Sequence, residues 1–304
     1  MARPLKVGVQ LPEVERVVRW PELRQMAKTA EEVGFDSLWV GDHLLYRRPL
    51  DTVGPWEAWS TLAALAEATY RVEIGPLVAC AAFHNPAVLA KKAATIDEIS
   101  GGRLILGLGA GWNQPDFTAF GFPFDQRASR FEEAFTIIRT LLREGQIDFE
   151  GQFYSARDCE LHPRGPRPAG PPLMIGSTGR RILHYTAPHM DAWNAWHDWF
   201  GNTPSGLAPY TAAVDEACHA VGREPAEVER TVTVLVQLPG GTGRAAGGEI
   251  AKPTPPIRGD SQDLAPVLGE YANAGVGHVQ LVLDPITIES IVACGPALAL
   301  LDRA

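Results

Sequence analysis

The chain has 304 residues, is 45% hydrophobic and 21% charged, and carries a formal net charge of −9. This is the composition of a soluble globular protein, and the negative balance excludes the basic footprint that nucleic acid or an anionic membrane requires, leaving a small molecule as the default partner. No run approaches the roughly 18 apolar residues of a membrane span, and Met1-Ala2-Arg3-Pro4-Leu5-Lys6 lacks a signal peptide's apolar core, so the cytoplasm is the expected compartment.

Short apolar runs alternate with longer amphipathic stretches, the pattern of repeated βα units around a parallel sheet. In chain order, strands are expected at 5–10, 37–40, 72–79, 104–108, 173–175, 192–193, 232–237 and 279–283. Helical periodicity follows each of them, at 21–33, 56–69, 86–99, 130–143, 180–187, 206–221, 261–274 and 286–301. Pro21 and Pro86 stand in first turns, where a missing N–H costs nothing, and Gly34, Gly145, Gly222 and Gly275 follow last turns. Eight such units predict an α/β fold, a (β/α)₈ TIM barrel forming a single domain over 1–304, with a doubly wound sheet as the alternative.

Two segments break the rhythm. Residues 148–172, with Phe149, Phe153 and Tyr154 before a Pro-rich run, read as an inserted hairpin or extended excursion. Residues 239–256, rich in Gly and Pro, follow the seventh strand and are either a lid over the barrel mouth or a disordered surface insertion. Cys80, Cys159, Cys218 and Cys294 have no paired spacing and read as reduced structural thiols. The histidines show no metal-ligand spacing, so no metal is expected.

Four constellations could carry chemistry. Gly41-Asp42-His43 ends the second strand, where barrel side chains face a substrate, and His43 could exchange a proton near neutral pH; a capping Asp42 beside a wall histidine is the alternative. Gly107-Leu108-Gly109-Ala110-Gly111-Trp112-Asn113 ends the fourth. Its glycines admit a flat ligand or backbone at close range, or make a tight turn, and their spacing fails the dinucleotide fingerprint. Gly176-Ser177-Thr178-Gly179-Arg180 opens the helix after the fifth strand, as a phosphate loop or an ordinary N-cap. Trp193, Trp196 and Trp199 lie within seven residues and could wall a pocket for a ring system, or pack a core.

In this order the landmarks resemble the luciferase-like monooxygenase superfamily. The matching phrases run from Val7-Gly8-Val9-Gln10-Leu11-Pro12 through Gly34-Phe35-Asp36-Ser37-Leu38-Trp39, Gly41-Asp42-His43-Leu44 and Ala93-Ala94-Thr95-Ile96-Asp97. They continue with Ser100-Gly101-Gly102-Arg103, Gly107-Leu108-Gly109-Ala110-Gly111-Trp112, Arg130-Phe131-Glu132-Glu133 and Asp191-Ala192-Trp193-Asn194. The resemblance implies a flavin-type ring at the barrel mouth, a cofactor phosphate at Gly176, Ser177, Thr178, Gly179 and Arg180, and a cis peptide behind the ring around Leu77-Val78. Gly109, Trp112 and Asn113 would border the cofactor, and Trp39, Trp193 and Trp196 the substrate pocket. The Asp42-His43 pair looks like the branch dependent on coenzyme F420, a deazaflavin. That branch implies hydride transfer to or from a small organic substrate, with His43 as proton donor or acceptor. An FMN-dependent monooxygenase using reduced flavin and oxygen, and a flavin-binding protein without turnover, are the alternatives. A flavin or deazaflavin reductase and a second copy of the chain, as a homodimer, are the implied partners. Gln114 and Asp116 depart from the family, which usually has glutamates there; a proton donor at 114 would be missing.

Overall fold

A computed structural model of the chain describes residues 3–244 and 254–303. Its parallel strands are Lys6–Gln10, Ser37–Val40, Glu73–Pro76 continued by Ala79–Cys80, Leu106–Gly109, Leu173–Ile175, Ala192–Trp196, Glu229–Gln237 and His278–Asp284. Taken in that order they are the first to eighth barrel strands. The first pairs with the second at Val9↔Leu38 and with the eighth at Val9↔Leu281, and the ladder runs round through the fifth and sixth. The third strand joins the second through Trp39↔Gly75 and the fourth through Ala79↔Leu108, with a further bridge between Ile74 and Leu104. The ring closes as a (β/α)₈ barrel, as the eight units of the sequence predict. The dipeptide Ile257–Arg258 adds a short stave beside the seventh strand.

Alternation along each strand sorts the side chains into two layers. Val7, Val9, Leu38, Val40, Trp193 and Ala195 enter the main core between sheet and helices, whereas Trp39, Leu77, Ile105, Met174 and Ala192 pack inside the barrel. Lower in the interior, Trp39 Nε1 donates to Ser37 Oγ at 2.7 Å, so the Ser37 hydroxyl hydrogen is left to donate to His278 Nε2 at 2.7 Å. Burial, then the Lys6 charge, push His278 down to about 3, which matches a neutral acceptor ring.

The helices carry the ends that the sequence announces. Asn85 caps the helix Pro86–Ser100 by accepting from Ala87 N and Val88 N, and Gly101 ends it in the left-handed region at φ 68°. The expected last helix divides into Ile288–Ala293 and Gly295–Leu301, because Pro296 has no N–H to continue the ladder. The segment at 148–172 contains a hairpin, Gln146–Glu150 against Ser155–Glu160, and Glu133 receives the turn's Gln152, Phe153 and Tyr154 N–H groups at 2.8 to 3.0 Å. Of the loop at 239–256, residues 245–253 lie outside the described residues. Its first part is fastened to the end of the eighth strand, where Asp284 accepts from Gly243 N at 2.7 Å and Gln237 Nε2 at 3.0 Å.

Several family phrases are brackets at the closed end of the barrel. The fully buried Asp97 pairs with Arg167 and accepts from Leu104 N, while Arg103 donates to the carbonyls of Ala66, Thr69 and Val72.

Candidate active site

The C-terminal ends of the strands surround a cavity of about 610 Å³, within the ordinary range for a small-molecule or cofactor site. Asp42, His43, Leu77, Val78, Gly109, Trp112, Asn113, Gly176, Ser177, Thr178 and Trp196 line it, together with Glu13, Tyr46, Asp116, Asn194 and Arg244.

The back of the cavity is built from the broken third strand. The Leu77–Val78 peptide is cis, the feature the family resemblance implies, and it interrupts the strand so that Val78 projects toward its neighbours. A Cβ on Gly107, Gly109 or Gly176 would stand 2.8 to 2.9 Å from a Val78 methyl carbon. Gly109 therefore makes room for the Val78 side chain, and Gly107 for both Val78 and the Pro76 carbonyl oxygen, which a Cβ there would meet at 2.3 Å. Gly111, at φ 78°, is the one of the three that turns the chain.

Asp42 faces the third strand. Its Oδ2 accepts from Cys80 N at 2.9 Å and lies 3.0 Å from His84 Nε2, so this oxygen faces the third strand and the loop after it. His43 has a different partner. Its Nδ1 lies 2.7 Å from Asp116 Oδ2, and the other Asp116 oxygen accepts from Leu45 N at 2.7 Å and Leu44 N at 3.2 Å. Tyr46 and Trp112 flank the imidazole, with ring centroids 4.6 and 5.4 Å away. Burial disfavours the imidazolium, but the Asp116 hydrogen bond and the charges of Glu13, Asp116 and Asp42 outweigh it and raise the His43 pKa. Burial likewise disfavours the Asp116 anion, and the bonds from His43 and Leu45 override it, holding that carboxyl below its usual value. Gln114 is exposed on the short helix Gln114–Phe120 and lies off the lining.

A second network adjoins the first through Tyr46. Arg244, on the loop after the seventh strand, is buried and bonds Glu13 Oε2 at 3.0 Å and Glu15 Oε1 at 2.7 Å, with its guanidinium 5.3 Å from the Trp196 ring centroid. Tyr46 donates to Glu13 Oε1 at 3.0 Å. Burial opposes the Arg244 cation, but Glu15 and Glu13 raise its pKa further; burial, then Glu13, keep the Tyr46 phenol protonated.

Four sequence-selected residues stand off the lining. Trp39 is fully buried within the barrel interior, and Trp193 is buried between sheet and helices, where its Nε1 donates to the Ser177 carbonyl at 2.8 Å. Trp193 thus shapes the loop after the fifth strand from behind. Gly179 is the N-cap of the helix Arg180–Thr186 and provides no side-chain cap, and the exposed Arg180 is drawn away by Glu216. Glu13, Tyr46 and Arg244 escaped the sequence reading because each is isolated among ordinary loop residues. Asp116 was noticed only as a departure. For Asn194, strand parity was an available signal: with Trp193 outward, Asn194 and Trp196 point in.

Residues 6–239 match the family model described as luciferase-like monooxygenase. Among curated proteins, the chain is 34% identical over 222 residues to the F420-dependent glucose-6-phosphate dehydrogenase of Amycolatopsis mediterranei, an alignment covering 70% of this chain and 64% of that protein. It is 30% identical over 248 residues to the protein of the same description from Kineococcus radiotolerans, covering 78% of this chain and 69% of the relative. The chain thus spans a little under two thirds of the first of these relatives. Among solved structures, an F420-dependent secondary alcohol dehydrogenase in complex with an F420-acetone adduct superposes with a TM-score of 0.80 at 20% identity, covering 98% of this chain and 99% of that one, a likeness of fold. Family model, relatives and barrel agree: the chain belongs to the luciferase-like monooxygenase family.

Proposed function

We propose that the chain is an oxidoreductase that transfers a hydride between coenzyme F420 and a small organic substrate, with His43 carrying the accompanying proton. The observation that carries this reading is His43 itself, a cavity-lining imidazole engaged through Nδ1 so that Nε2 is the nitrogen left for a substrate. The F420-dependent descriptions of the curated relatives support the choice of cofactor.

The residues present fit such a group. Gly179 leaves the first-turn N–H groups of the helix Arg180–Thr186 without a side-chain cap, and Ser177 and Thr178 add hydroxyls beside them, a donor set suited to a phosphate. Arg180 is already paired with Glu216, so in this reading backbone and hydroxyls, rather than the guanidinium, hold the phosphate. Leu77 and Val78 offer an apolar backing for a flat ring, with Gly109 and Asn113 at its border. When bound, the deazaflavin supplies a ring carbon that accepts or gives up a hydride. His43 then gives or takes a proton at Nε2, and Trp112 and Trp196 limit water at that point. Asp42 serves by holding the third strand in place, and Asn194 offers a neutral amide in the wall.

Titration of the purified protein with F420 and, separately, with FMN tests the cofactor. Saturable binding of F420 with much weaker binding of FMN is expected, and the reverse order would replace this reading with the flavin-dependent monooxygenase. His43→Asn is expected to lower turnover by about 100-fold or more with F420 affinity retained. Near-normal turnover would remove His43 from the mechanism. The same reading places the enzyme in the cytoplasm as a homodimer, with a deazaflavin reductase as the partner that recycles the cofactor. Light scattering tests the dimer. Among the described residues no helix is long and apolar enough to cross a membrane.

A further inference from the structure

The chemistry of the Asp116 carboxylate restricts what His43 can do, and the argument rests on the proton-carrying role just assigned to that histidine. Asp116 is fully buried, and its two oxygens face two backbone N–H groups and one ring nitrogen: Leu44 N at 3.2 Å and Leu45 N at 2.7 Å on Oδ1, and His43 Nδ1 at 2.7 Å on Oδ2. A carboxylate in such a setting is an anion, and an anionic carboxylate has no proton to donate. The Nδ1 of His43 must therefore bear hydrogen, whichever charge state the ring is in.

We propose that Asp116 is a positioning residue that confines His43 to the Nδ1–H tautomer and thereby confines proton exchange with the substrate to Nε2. The local fold builds this arrangement from two loops. Asp116 lies in the first turn of the helix Gln114–Phe120, where the free N–H groups favour a negative charge. Asn113, just before that helix, donates from Nδ2 to the Leu45 carbonyl at 3.0 Å. The loop after the fourth strand is in this way laced to the loop that carries His43. The other charged and titratable groups around the imidazole are Glu13, Asp42 and Tyr46. Glu13 is engaged by Tyr46, Gln10 and Arg244, and Asp42 by Cys80 and His84, so neither competes with Asp116 for Nδ1. The family departure at this position thus keeps a carboxylate, shortened by one methylene, that acts through the histidine.

The test pairs a direct and a kinetic measurement. In ¹⁵N-histidine spectra of the full chain above the His43 titration, the neutral ring is expected as the Nδ1–H tautomer; a predominant Nε2–H signal overturns the proposal. In Asp116→Asn the negative charge is lost, so the limb of the pH–rate profile that reports His43 moves to lower pH, whether His43 acts as acid or base. The kcat at the wild-type optimum is expected to fall by about tenfold to a hundredfold, with the F420 dissociation constant held within about twofold, since Asp116 accepts only from protein groups. A pH profile superposable on that of the wild type overturns the proposal. Should the variant not fold, the wild-type spectrum decides alone. If His43→Asn retains turnover, the proton-carrying role falls while the spectrum still decides whether Asp116 sets the tautomer.

Discussion

Arg244→Met is the most demanding test of the mouth of the barrel. The substitution keeps an unbranched side chain but deletes the guanidinium of a side chain that is 5% exposed and spans Glu13, 4% exposed, and Glu15, 18% exposed. Removing one partner of a buried pair costs about 3–5 kcal/mol, since the charge left behind is uncompensated. Glu15 retains some access to water, which places the expected loss near the lower end, at about 3 kcal/mol. For a chain of 304 residues that corresponds to a fall in Tm of roughly 5 °C. The pH dependence follows from Glu15. Burial raises its pKa, yet the charge and hydrogen bond of Arg244 outweigh burial and hold it below the ordinary value of 4.5. A depressed carboxyl contributes stability above its unfolded pKa and loses it as pH falls through the folded one. Without Arg244, burial is opposed only by backbone N–H bonds to Glu15, and protonation relieves the variant as the pH drops. Urea unfolding at pH 7.5 and pH 5 should therefore show a gap between wild type and variant that narrows on acidification. A gap below about 1 kcal/mol at pH 7.5, or one that widens toward pH 5, would refute a buried, charge-clamped Arg244.

Two further substitutions separate the loop proposed to hold the cofactor phosphate from the closed end of the barrel. Trp193→Phe removes the N–H that holds the Ser177 carbonyl; a lost hydrogen bond of about 1 kcal/mol should weaken F420 binding roughly fivefold by calorimetric titration, and an unchanged affinity would show that the loop keeps its shape unaided. Asp97→Asn breaks the buried pair with Arg167 beneath the barrel. It should cost about 3 kcal/mol in urea unfolding while leaving F420 affinity unchanged, and a parallel loss of affinity would contradict the separation of the two ends.

Periodicity and end signals made the barrel legible. The fifth strand, Leu173–Ile175, coincides with its expected bounds, and the helix Ser261–Asn273 ends within a residue of expectation. These elements are declared locally, by an apolar run between turn residues or by a cap at each end. The candidate site was legible where a family phrase sits at a strand end, as at His43, Trp112 and Ser177. What the sequence could not display is pairing across the mouth. His43 and Asp116 are 73 positions apart, and Glu13 and Arg244 are 231 apart. Either partner alone is an ordinary loop residue, and only closure of the barrel brings the first, second, fourth and seventh loops within bonding distance. The tryptophans show a different limit. Composition marks Trp39 and Trp193 as candidates for a wall, but depth along the strand places one below the cavity and parity places the other behind the sheet.

The seat of Val78 also bears on how this sequence can drift. Positions 78, 109 and 176 share one volume, so they form a single heritable unit built from three neighbouring strands. A methyl group gained at Gly109 or Gly176 meets Val78 first, whereas one at Gly107 meets the Pro76 carbonyl oxygen first, so a contraction at 78 opens room at 109 and 176 and leaves 107 closed. The accessible order of change is therefore directional, with Val78→Ala preceding loss of glycine at 109 or 176. The same ordering makes Val78→Ala the background in which side chains could be installed one at a time along the back wall of the cavity.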